Sequence, residues 1–551
     1  MKNSVSGTLF DPIRKINYGA TIRISPEGKI SDIEPDSNPD PVYILPGFVD
    51  AHVHIESSML TPAAFARAAV CHGTVAAVTD PHEIANVLGI KGVELMLRLS
   101  KQTPFTFGFG VPSCVPATPF ETSGAELDLD AVSELLSRDD ITHLAEMMNF
   151  PGVLRDDPAV MDKIAAARKV NKPIDGHAPG LQGADLDKYI AAGISTDHES
   201  LTFEEASEKI SKGMSIMIRY GSAASEFEHM LHLIARYPAH CMFCSDDKHP
   251  DDLINDHVNS IAARAYRRGI SIHSIIQAAS VNPVKHYNLP TGLLQLGDSA
   301  DFIMVENFNS FCPSEVWIKG KCVAKNGESY LPSGTPEILN NFEAGIIQPH
   351  DLLVKPGDNA ECRIKVMQIH DGSLITDSIE ADAVIEDGVI TADPENDIIK
   401  LVVYNRYQKH SQPAVAFVKG FGLRRGAIAS SVAHDSHNII AAGSSDTAIT
   451  TAVNEVVLNK GGLAVASDNA KTIATLPLPL AGLISPEPAE MVARKYSDCD
   501  RLAKILGSPL KAPFMTLSFL ALPVIPELKL TDKGLFDVGK FRHTGLFVDK
   551  N

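Results

Sequence analysis

Residues 45–60 read LPGFVDAHVHIESSML, and the apolar run in this stretch ends in His52 and His54. Such a run predicts a buried strand. Side chains on a strand alternate between its two faces, so residues two apart point the same way. His52 and His54 are therefore either two donors that reach one metal ion from the same wall or two ordinary side chains at a strand end. The strands that follow decide between these interpretations.

The pattern of this first strand returns along residues 74–246. Each repeat has a short apolar run, a polar cluster and then a segment with helical spacing, such as DPAVMDKIAAARKVN at 157–171. Alternating strands and helices predict parallel βαβ units, and eight strands in about 200 residues predict a (β/α)8 barrel. The seven later strand candidates are TVAAVTDPHE (74–83), TFGFGVPSC (106–114), THLAEMMNF (142–150), KPIDGHAP (172–179), GISTDHES (193–200), SIMIRYGSA (215–223) and CMFCSDDKHP (241–250).

Short alternating runs flank the barrel on both sides. ATIRISPEGKISDIE precedes it, and ADFIMVEN and EVWIKGKCVAKNG follow it. We expect an α/β protein with a TIM-like barrel at 45–299 and a small β-sandwich built from both flanks, 1–44 and 300–335. An additional C-terminal α+β domain is expected at 336–551, beyond the polar, proline-containing stretch LPSGTPEILNN.

Composition narrows the class of partner. The chain has 551 residues, 44% of them hydrophobic and 21% charged, with a formal net charge of -19. This charge repels phosphate backbones and anionic lipid, so we expect neither nucleic acid nor a membrane as partner. No apolar stretch is long enough to cross a bilayer, and the N-terminus lacks the apolar region of a secretory signal. With eight cysteines in a chain of this length, we expect a cytoplasmic protein, and we take a homo-oligomer as the commoner assembly.

Cys241 and Cys244 form a C-x-x-C, and His54 and Glu56 form an H-x-E. Together they echo the signature of zinc nucleobase deaminases. The context does not fit, because His240 precedes Cys241 where that signature has proline, and CMFCSDD has the pattern of a buried strand. We predict that both cysteines are buried core thiols.

Polar residues collect at the C-terminal ends of the predicted strands, the face on which TIM barrels carry their active sites. A lone histidine is usually a core or surface residue. A ring of imidazoles and carboxylates in one cavity is costly to bury without a cation, so the ring predicts a metal site. Its members are His52, His54, Asp80, His82, Glu146, His177, His198 and Asp246.

The types of ligand limit the metal and its chemistry. Imidazole and carboxylate suit Mn, Fe or Zn, whereas a closed structural zinc site would favour thiolates. Glu146 has two oxygens with which to bridge two ions, and a binuclear site can bring the pKa of water into the neutral range. Asp246, last around the ring, is placed to orient the resulting hydroxide and to move its proton.

The chain resembles the amidohydrolase superfamily, and within it most closely the adenine deaminase family of bacteria and archaea. The resemblance covers nearly the whole chain, and its long motifs are specific. They are DAHVHIESSMLTP, DPHEIANVLG, PSCVPATPFETSGAEL, LAEMMNFPGV, DGHAPGLQGADLDKYIAAGISTDHES, MIRYGSAA, CSDDKHP, VKGFGLRRGAIASSVAHDSHNIIAAG and LPLPLAGLIS.

This resemblance implies a reaction and a ligand set. Many superfamily members bridge their metals with a carbamylated lysine at the fourth strand, but ITHLAEMMNF contains none, and the resemblance assigns the bridge to Glu146. It implies two divalent ions, Mn(II) or Fe(II) before Zn(II), and metal-activated hydroxide that attacks C6 of adenine. The substrates are adenine and water, and the products are hypoxanthine and ammonia. The remaining implied ligands are His52, His54, His177, His198 and Asp246.

The reaction also needs proton carriers and purine contacts. Asp246 is the first candidate for the proton shuttle, and the weaker candidates for a relay or for contact with N1 are Glu56, His82, Glu83 and Glu199. For Glu56 and Glu83 the alternative is a structural hydrogen bond to a loop. Asp80 is expected in the site as support, relay or extra ligand.

Arg219 and Ser222 follow the seventh strand. They either shape the purine pocket or form a salt-bridged rim of the barrel.

The segment SSVAHDSHN at 430–438 brings His434, Asp435 and His437 close together in sequence. Three interpretations remain open: an additional metal site, a segment that closes over the barrel mouth, and a structural turn.

Two other functions compete with adenine deamination. One keeps the barrel and acts on another aminopurine or a cyclic amide. The other is a non-catalytic barrel scaffold, which predicts decayed ligands, whereas all six implied ligands are present.

Overall fold

The computed structural model describes residues 4–222, 227–356 and 362–548. The chain forms two compact units. The first comprises Met1–His82, Val93–Cys114 and Leu127–Pro336, and the second comprises Glu83–Gly92, Val115–Glu126 and Glu337–Asn551. In the described residues, no helix is long and apolar enough to cross a membrane.

The first unit begins with four strands and continues into the eight strands of the barrel. The first four are β1 (Ser4–Asp11), β2 (Ile16–Ile24), β3 (Ile30–Pro35) and β4 (Tyr43–Pro46). The barrel strands are β5 (Phe48–Val53), β6 (Thr74–Thr79), β7 (Thr106–Val111), β8 (Ile141–Met147), β9 (Ile174–Gly176), β10 (Thr196–Asp197), β11 (Ser215–Arg219) and β12 (Cys241–Cys244).

The barrel strands run parallel, and hydrogen bonds close the ring. Strands β5 to β9 pair in chain order, as do β10 to β12. Ser195 N donates to Ile174 O at 2.9 Å between β9 and β10, and Asp246 N donates to His52 O at 2.9 Å between β12 and β5. The eight predicted strands are therefore confirmed, and the barrel is TIM-like.

Helices follow the barrel strands, as the alternating pattern predicts. Caps set several of their starts: the Thr61 side chain accepts from Ala64 N, and the Asp128 side chain accepts from Ala131 N. The helices are α1 (Pro62–Val70), α2 (His82–Leu88), α3 (Ile90–Ser100), α4 (Leu129–Leu136), α5 (Phe150–Leu154), α6 (Pro158–Lys169), α7 (Gly183–Ala191), α8 (Phe203–Ser211), α9 (His232–Arg236), α10 (Pro250–Leu253), α11 (Val258–Arg267), α12 (Ile272–Ile276) and α13 (Asn282–His286).

The flanks of the barrel meet in one eight-stranded sheet of order β16-β15-β14-β13-β4-β1-β2-β3. Its later strands are β13 (Phe302–Val305), β14 (Pro313–Ile318), β15 (Lys321–Lys325) and β16 (Glu328–Ser329). Strand β13 pairs antiparallel with β4, for example at Ile303 and Leu45. The N- and C-terminal flanks therefore join in one sheet.

The second unit is built on an eight-stranded mixed sheet of order β18-β17-β22-β21-β24-β23-β25-β26, whose core packs against α14. The strands of the second unit, including those outside this sheet, are β17 (Arg363–Gln368), β18 (Asp377–Asp382), β19 (Ile385–Glu386), β20 (Val389–Ile390), β21 (Ile398–Tyr404), β22 (Ala414–Lys419), β23 (Ala427–Ser430), β24 (Ile439–Gly443), β25 (Gly462–Ser467), β26 (Lys471–Pro477), β27 (Leu528–Thr531), β28 (Gly534–Asp537) and β29 (Arg542–His543). Its longer helices are α14 (Asp446–Leu458), α15 (Ala489–Ile505) and α16 (Pro513–Ser518).

Candidate metal centre

The predicted ligands converge at the C-terminal ends of the barrel strands. His52 lies in β5 and Glu146 in β8; Asp246 lies one residue beyond the end of β12, and His82 is the first residue of α2. The others directly follow a strand: His54, Asp80, His177 and His198. All are buried except His177, whose side chain is 28% exposed. Four sets of donor atoms, each with its members within 4.8 Å of one another, together contain all eight predicted residues: His54, Asp80, His82 and Glu146; His52, His54 and Asp246; His52, Glu146 and His198; His177, His198 and Glu199.

Glu146 is the centre of this cluster, because its two oxygens face different histidines. Oε1 lies 3.3 Å from His54 Nε2 and 3.4 Å from His82 Nδ1. Oε2 lies 2.7 Å from His177 Nδ1 and 3.2 Å from His198 Nε2. The two oxygens of this carboxylate therefore face two different pairs of histidines.

The two carboxylate oxygens of Asp246 also face different partners. Oδ1 lies 3.1 Å from His54 Nε2 and 3.6 Å from His52 Nε2, whereas Oδ2 accepts from Arg219 Nη1 at 2.6 Å. The backbone of Asp246 has a φ of 55°, a left-handed conformation that is uncommon outside glycine. Strained backbone of this kind is found at functional sites, where the surrounding structure maintains it.

The electrostatics of the cluster favour a cation. Burial alone would raise the pKa of Glu146, but hydrogen bonds from His177, His198 and His54 outweigh it and hold this pKa well below its usual value. For Asp246 burial is likewise outweighed, first by Arg219 and then by His52 and His54, so its pKa is also well below normal.

Two of the imidazoles show the complementary effect, whereas burial and the neighbouring His198 lower the pKa of His52. Burial lowers the pKa of His198, but the Glu146 carboxylate outweighs it and raises this pKa to about 9. The pKa of His54 is likewise raised against the effect of burial by Asp246 and Glu146. The cluster therefore requires positive charge, which protons supply in the metal-free chain and divalent cations can supply instead.

Asp80 and His82 belong to the same cluster. His82 Nδ1 lies 3.1 Å from Asp80 Oδ2, and the backbone oxygen of Asp80 lies 3.0 Å from His54 Nδ1. Asp80 thus fixes the orientation of the His54 ring, the support that metal-bound histidines commonly have.

Arg219 is held in ion pairs. It contacts Glu199 through Nη1, its Nη2 donates to Glu199 Oε2 at 3.1 Å, and it pairs with Asp246. The salt-bridge interpretation of Arg219 is therefore observed, and its contact with the purine remains a prediction.

The structure shows the hydrogen-bond partners of Ser222 and the turn that contains Glu56. The Ser222 hydroxyl contacts Asp252 and accepts from His249 N at 2.9 Å. Glu56 is buried in a 3-10 turn, Ile55–Ser58, that directly follows His54. These positions do not test the roles that the sequence assigns to the two residues.

Asp50 is a supporting residue that the sequence interpretation missed. Its Oδ1 accepts from Ser245 N at 3.0 Å and from His52 N at 3.3 Å, and its Oδ2 lies 2.9 Å from His257 Nε2. It therefore ties β5 to the loop that carries Asp246. Its position two residues before His52, on the same face of the strand, was the available signal.

Lys209 in α8 is a second missed residue. Its Nζ donates to Ala178 O at 2.7 Å, to Asp197 Oδ2 at 2.9 Å and to Glu205 Oε1 at 2.7 Å. Because Ala178 follows His177 and Asp197 precedes His198, this fully buried ammonium holds the backbone beside two predicted ligands. The sequence of α8 gives no sign of this role.

Two further groups of residues singled out in the sequence are the cysteines of β12 and the histidines of segment 430–438. Cys241 and Cys244 are buried thiols in β12, as predicted, and burial raises the pKa of Cys241 to about 12. In the second unit Glu83, His434 and His437 form a separate buried cluster whose donor atoms also lie within 4.8 Å of one another.

Comparisons with known proteins identify the family of this chain. Residues 43–323 match the amidohydrolase family, and residues 373–542 match the adenine deaminase C-terminal domain. The adenine deaminases of Salinibacter ruber and Methanosarcina mazei are 49% and 50% identical to this chain over 547 and 554 residues, and each alignment covers 99% of both chains. The chain belongs to the adenine deaminase family.

This membership confirms the resemblance found in the sequence. The adenine deaminase of Borreliella burgdorferi is also similar, at 44% identity over 552 residues and 99% of both chains. Among solved structures, a β-aspartyl dipeptidase from Fervidobacterium islandicum is 16% identical with a TM-score of 0.45, covering 59% of this chain and 97% of that chain. A D-hydantoinase is 13% identical with a TM-score of 0.44, covering 60% and 96%. Amidohydrolases use divalent metal ions, and the Glu146 cluster has the donors to bind them.

Proposed function

We propose that this chain deaminates adenine hydrolytically, with water as the second substrate and hypoxanthine and ammonia as products. The observation that carries the proposal is the near-full-length identity of about half of the residues to adenine deaminases, together with the buried cluster around Glu146. The reaction forms a C6–O bond, breaks the C6–N bond and leaves a proton on the purine ring.

Two divalent ions fit the cluster, because its donors are imidazoles and carboxylates. The similarity to adenine deaminases is the reason to put Mn(II) or Fe(II) ahead of Zn(II). Bound there, such ions supply Lewis acidity and bring the pKa of water into the neutral range. Glu146 would serve both ions because its oxygens face separate histidines. The other proposed ligands are His52, His54, His177, His198 and Asp246, with Asp80 as a possible additional one.

The chain's own residues move the protons. Asp246 is ionised and faces the histidines through Oδ1, so it can accept a proton from the attacking water and return it to the leaving amino group. Arg219 holds Asp246 Oδ2 and thereby fixes the carboxylate. His82, Glu56 and Glu199 are proposed for relay to N1, and Arg219, Ser222 and Glu83 for binding the purine.

We also propose a finer division of the fold. The domains are a small β-sandwich from 1–44 and 300–335, a barrel at 45–299 and a C-terminal α+β domain at 336–551. A common apolar core that includes Val5, Ile22, Phe302 and Trp317 supports a flanking sheet folded over itself.

The cellular setting is proposed from charge and cysteine chemistry. None of the cysteines in the described residues forms a disulfide, in keeping with a cytoplasmic protein. The net charge of -19 disfavours nucleic acid and anionic membranes as partners, and a homo-oligomer is the expected assembly.

Release of ammonia from a panel of substrates tests the proposal. The chain, loaded with Mn(II) or Fe(II), is incubated with adenine, other 6-aminopurines and cyclic amides, and ammonia is measured by a coupled assay. We expect adenine to give the highest kcat/KM. Turnover of a cyclic amide but not of adenine would replace the proposed substrate, and no turnover of any substrate would favour a scaffold.

A further inference from the structure

The loops that follow β11 and β12 are joined backbone to backbone. Tyr220 N donates to Cys244 O at 3.0 Å, and two residues later Ser222 N donates to Asp247 O at 2.8 Å. In the second loop these acceptors lie on either side of Asp246. The path of the chain at Asp246 is therefore set together with the path of the loop that follows β11.

Gly221 lies between these two hydrogen bonds and explains how the loops approach so closely. A Cβ atom at this position would lie 2.6 Å from Ser245 O and 2.7 Å from Asp247 O, closer than van der Waals contact allows. Both carbonyls flank Asp246, whose left-handed backbone has a φ of 55°. Backbone of this kind persists only where the surrounding structure holds it, and the loop at Gly221 is part of those surroundings.

A buried cation and an aromatic ring join the same two loops through their side chains. Lys248 is only 2% exposed, and its Nζ lies 4.7 Å from the ring centre of Tyr220, within the range of a cation–π contact. The same Nζ donates to Asp256 Oδ1 at 2.8 Å. Burial would raise the pKa of Asp256, but Lys248 outweighs it and holds this pKa below its usual value. Arg264 Nη2 donates to the Tyr220 hydroxyl at 2.8 Å, so both partners of the contact are anchored.

The contact between Tyr220 and Lys248 connects the two chain segments that form the Arg219–Asp246 ion pair. Arg219 directly precedes Tyr220, and its Nη1 donates to Asp246 Oδ2 at 2.6 Å. Lys248 lies two residues after Asp246. Displacement of Lys248 from the ring would therefore shift Asp246 relative to the guanidinium that holds its carboxylate.

We propose that Tyr220 and Lys248 are positioning residues, whose cation–π contact holds the loop of Asp246 against the loop of Arg219. The Asp246 carboxylate thereby stays in place for proton transfer. This consequence for catalysis rests on the proposed adenine deamination. The contact itself is a property of the two loops, so it can be tested with and without substrate.

Four substitutions separate the cation–π contact from the hydrogen bonds around it. Tyr220→Leu removes the ring, whereas Tyr220→Phe keeps the ring and removes only the hydroxyl. Lys248→Met keeps the apolar stem of the side chain and removes the ammonium. Arg236→Met is the control, because Arg236 is exposed at the end of α9 and its guanidinium carbon lies 5.2 Å from the ring centre of Tyr237.

The readouts are kcat and KM for adenine with the Mn(II)-loaded chain, deuterium uptake of residues 245–249 by mass spectrometry, and melting temperature. We expect Lys248→Met and Tyr220→Leu to lose roughly 10- to 100-fold in kcat with little change in KM, and Tyr220→Phe to stay within about fivefold of wild type. Deuterium uptake at 245–249 should be faster in the first two variants, because the loop opens more often. Tyr220→Phe and Arg236→Met should match wild type in this uptake.

A lower melting temperature of Tyr220→Leu with wild-type kcat would overturn the proposal, because the contact would then only stabilise the fold. Equal losses of kcat in Tyr220→Phe and Tyr220→Leu would also overturn it and assign the effect to the hydroxyl. If Lys248→Met does not fold, the two Tyr220 variants decide alone. Absence of adenine deamination in the wild type would refute the proposed function, and deuterium uptake at 245–249 would still test the contact.

Discussion

The barrel cluster around Glu146 and the second-unit cluster around Glu83 use the same residue types, and both are buried. They differ in the imidazole contacts that each carboxylate oxygen makes. Both oxygens of Glu146 are approached by more than one imidazole, and Glu83 is contacted by His434 at Oε1 and by His437 at Oε2. In the barrel, His52 Nε2 also faces His54 Nε2 at 3.2 Å, and one proton at most can lie between two such nitrogens.

In the Glu83 cluster Ala433 N donates to His437 Nδ1, and this backbone N–H sets the tautomer of a neutral His437 ring. The Glu146 cluster concentrates lone pairs on shared oxygens and opposed nitrogens, which a multivalent cation satisfies better than protons do. Histidine and carboxylate in proximity therefore do not by themselves define a metal site.

Glu146→Gln is expected to have the largest effect. The amide keeps the shape of the side chain but removes its charge and one acceptor oxygen, so the ions lose their shared ligand. We expect loss of bound metal by elemental analysis and a fall in kcat of roughly a thousandfold or more.

Glu83→Gln is the matched control for Glu146→Gln. It makes the same change in the other cluster and should retain the wild-type metal content. Full metal occupancy in Glu146→Gln would contradict the bridging role.

Asp246→Asn is expected to have the next largest effect. Burial would raise the pKa of Asp246, but Arg219, His52 and His54 hold it well below normal, so the side chain stays ionised through the neutral range. An asparagine cannot accept the proton of water, and we expect kcat to fall by about 10²- to 10⁴-fold.

Metal content measured on the same preparation of Asp246→Asn separates loss of a ligand from loss of a proton acceptor. A rate near that of wild type in the metal-loaded variant would assign proton transfer to another group.

The barrel and the ligand ring were predictable because both follow local rules. Strand periodicity placed His52 and His54 on one wall, and parallel strands brought distant strand ends such as that of Glu146 to the same face. Even β10, with only two residues, was located by the pattern around Thr196 and Asp197.

The supporting contacts were not predictable in the same way. Lys209 lies in a helix whose sequence does not show which carbonyl its ammonium will reach. Glu83 and His434 are 351 residues apart, and no periodicity connects them. The tautomer of His437 depends on the path of the backbone at Ala433, which the motif HDSHN does not specify.

Two fully buried lysines extend the comparison between the units. Lys209 in the first unit has Asp197 and Glu205 as ionic partners. Lys209→Met would leave these carboxylates buried without a counter-charge, which costs about 3–5 kcal/mol of stability. It would also release the backbone beside His177 and His198, and we expect kcat to fall roughly 10- to 100-fold.

Urea unfolding followed by circular dichroism and kcat for adenine test Lys209→Met. Lys212→Met is the control, because Lys212 pairs with Asp187 and Glu208 at the surface, where ion pairs contribute little. Equal effects of the two substitutions would show that the buried network does not hold the site.

Lys529 in the second unit is buried against a carbonyl, with Nζ donating to Leu374 O at 3.0 Å, and it has no ion pair among the described residues. Burial lowers its pKa from 10.5 to about 7. Between these values the unfolded chain binds the proton that the folded chain has lost, so stability rises with pH by up to about 1.4 kcal/mol per unit.

Lys529→Met should remove this rise and leave kcat unchanged, whereas exposed Lys540→Met should keep it. Urea midpoints at pH 7.5 and 9.5, values chosen to lie roughly inside this window, measure the difference. Parallel changes in wild type and Lys529→Met would mean that Lys529 stays charged in the fold and has a counter-charge, as Lys209 has.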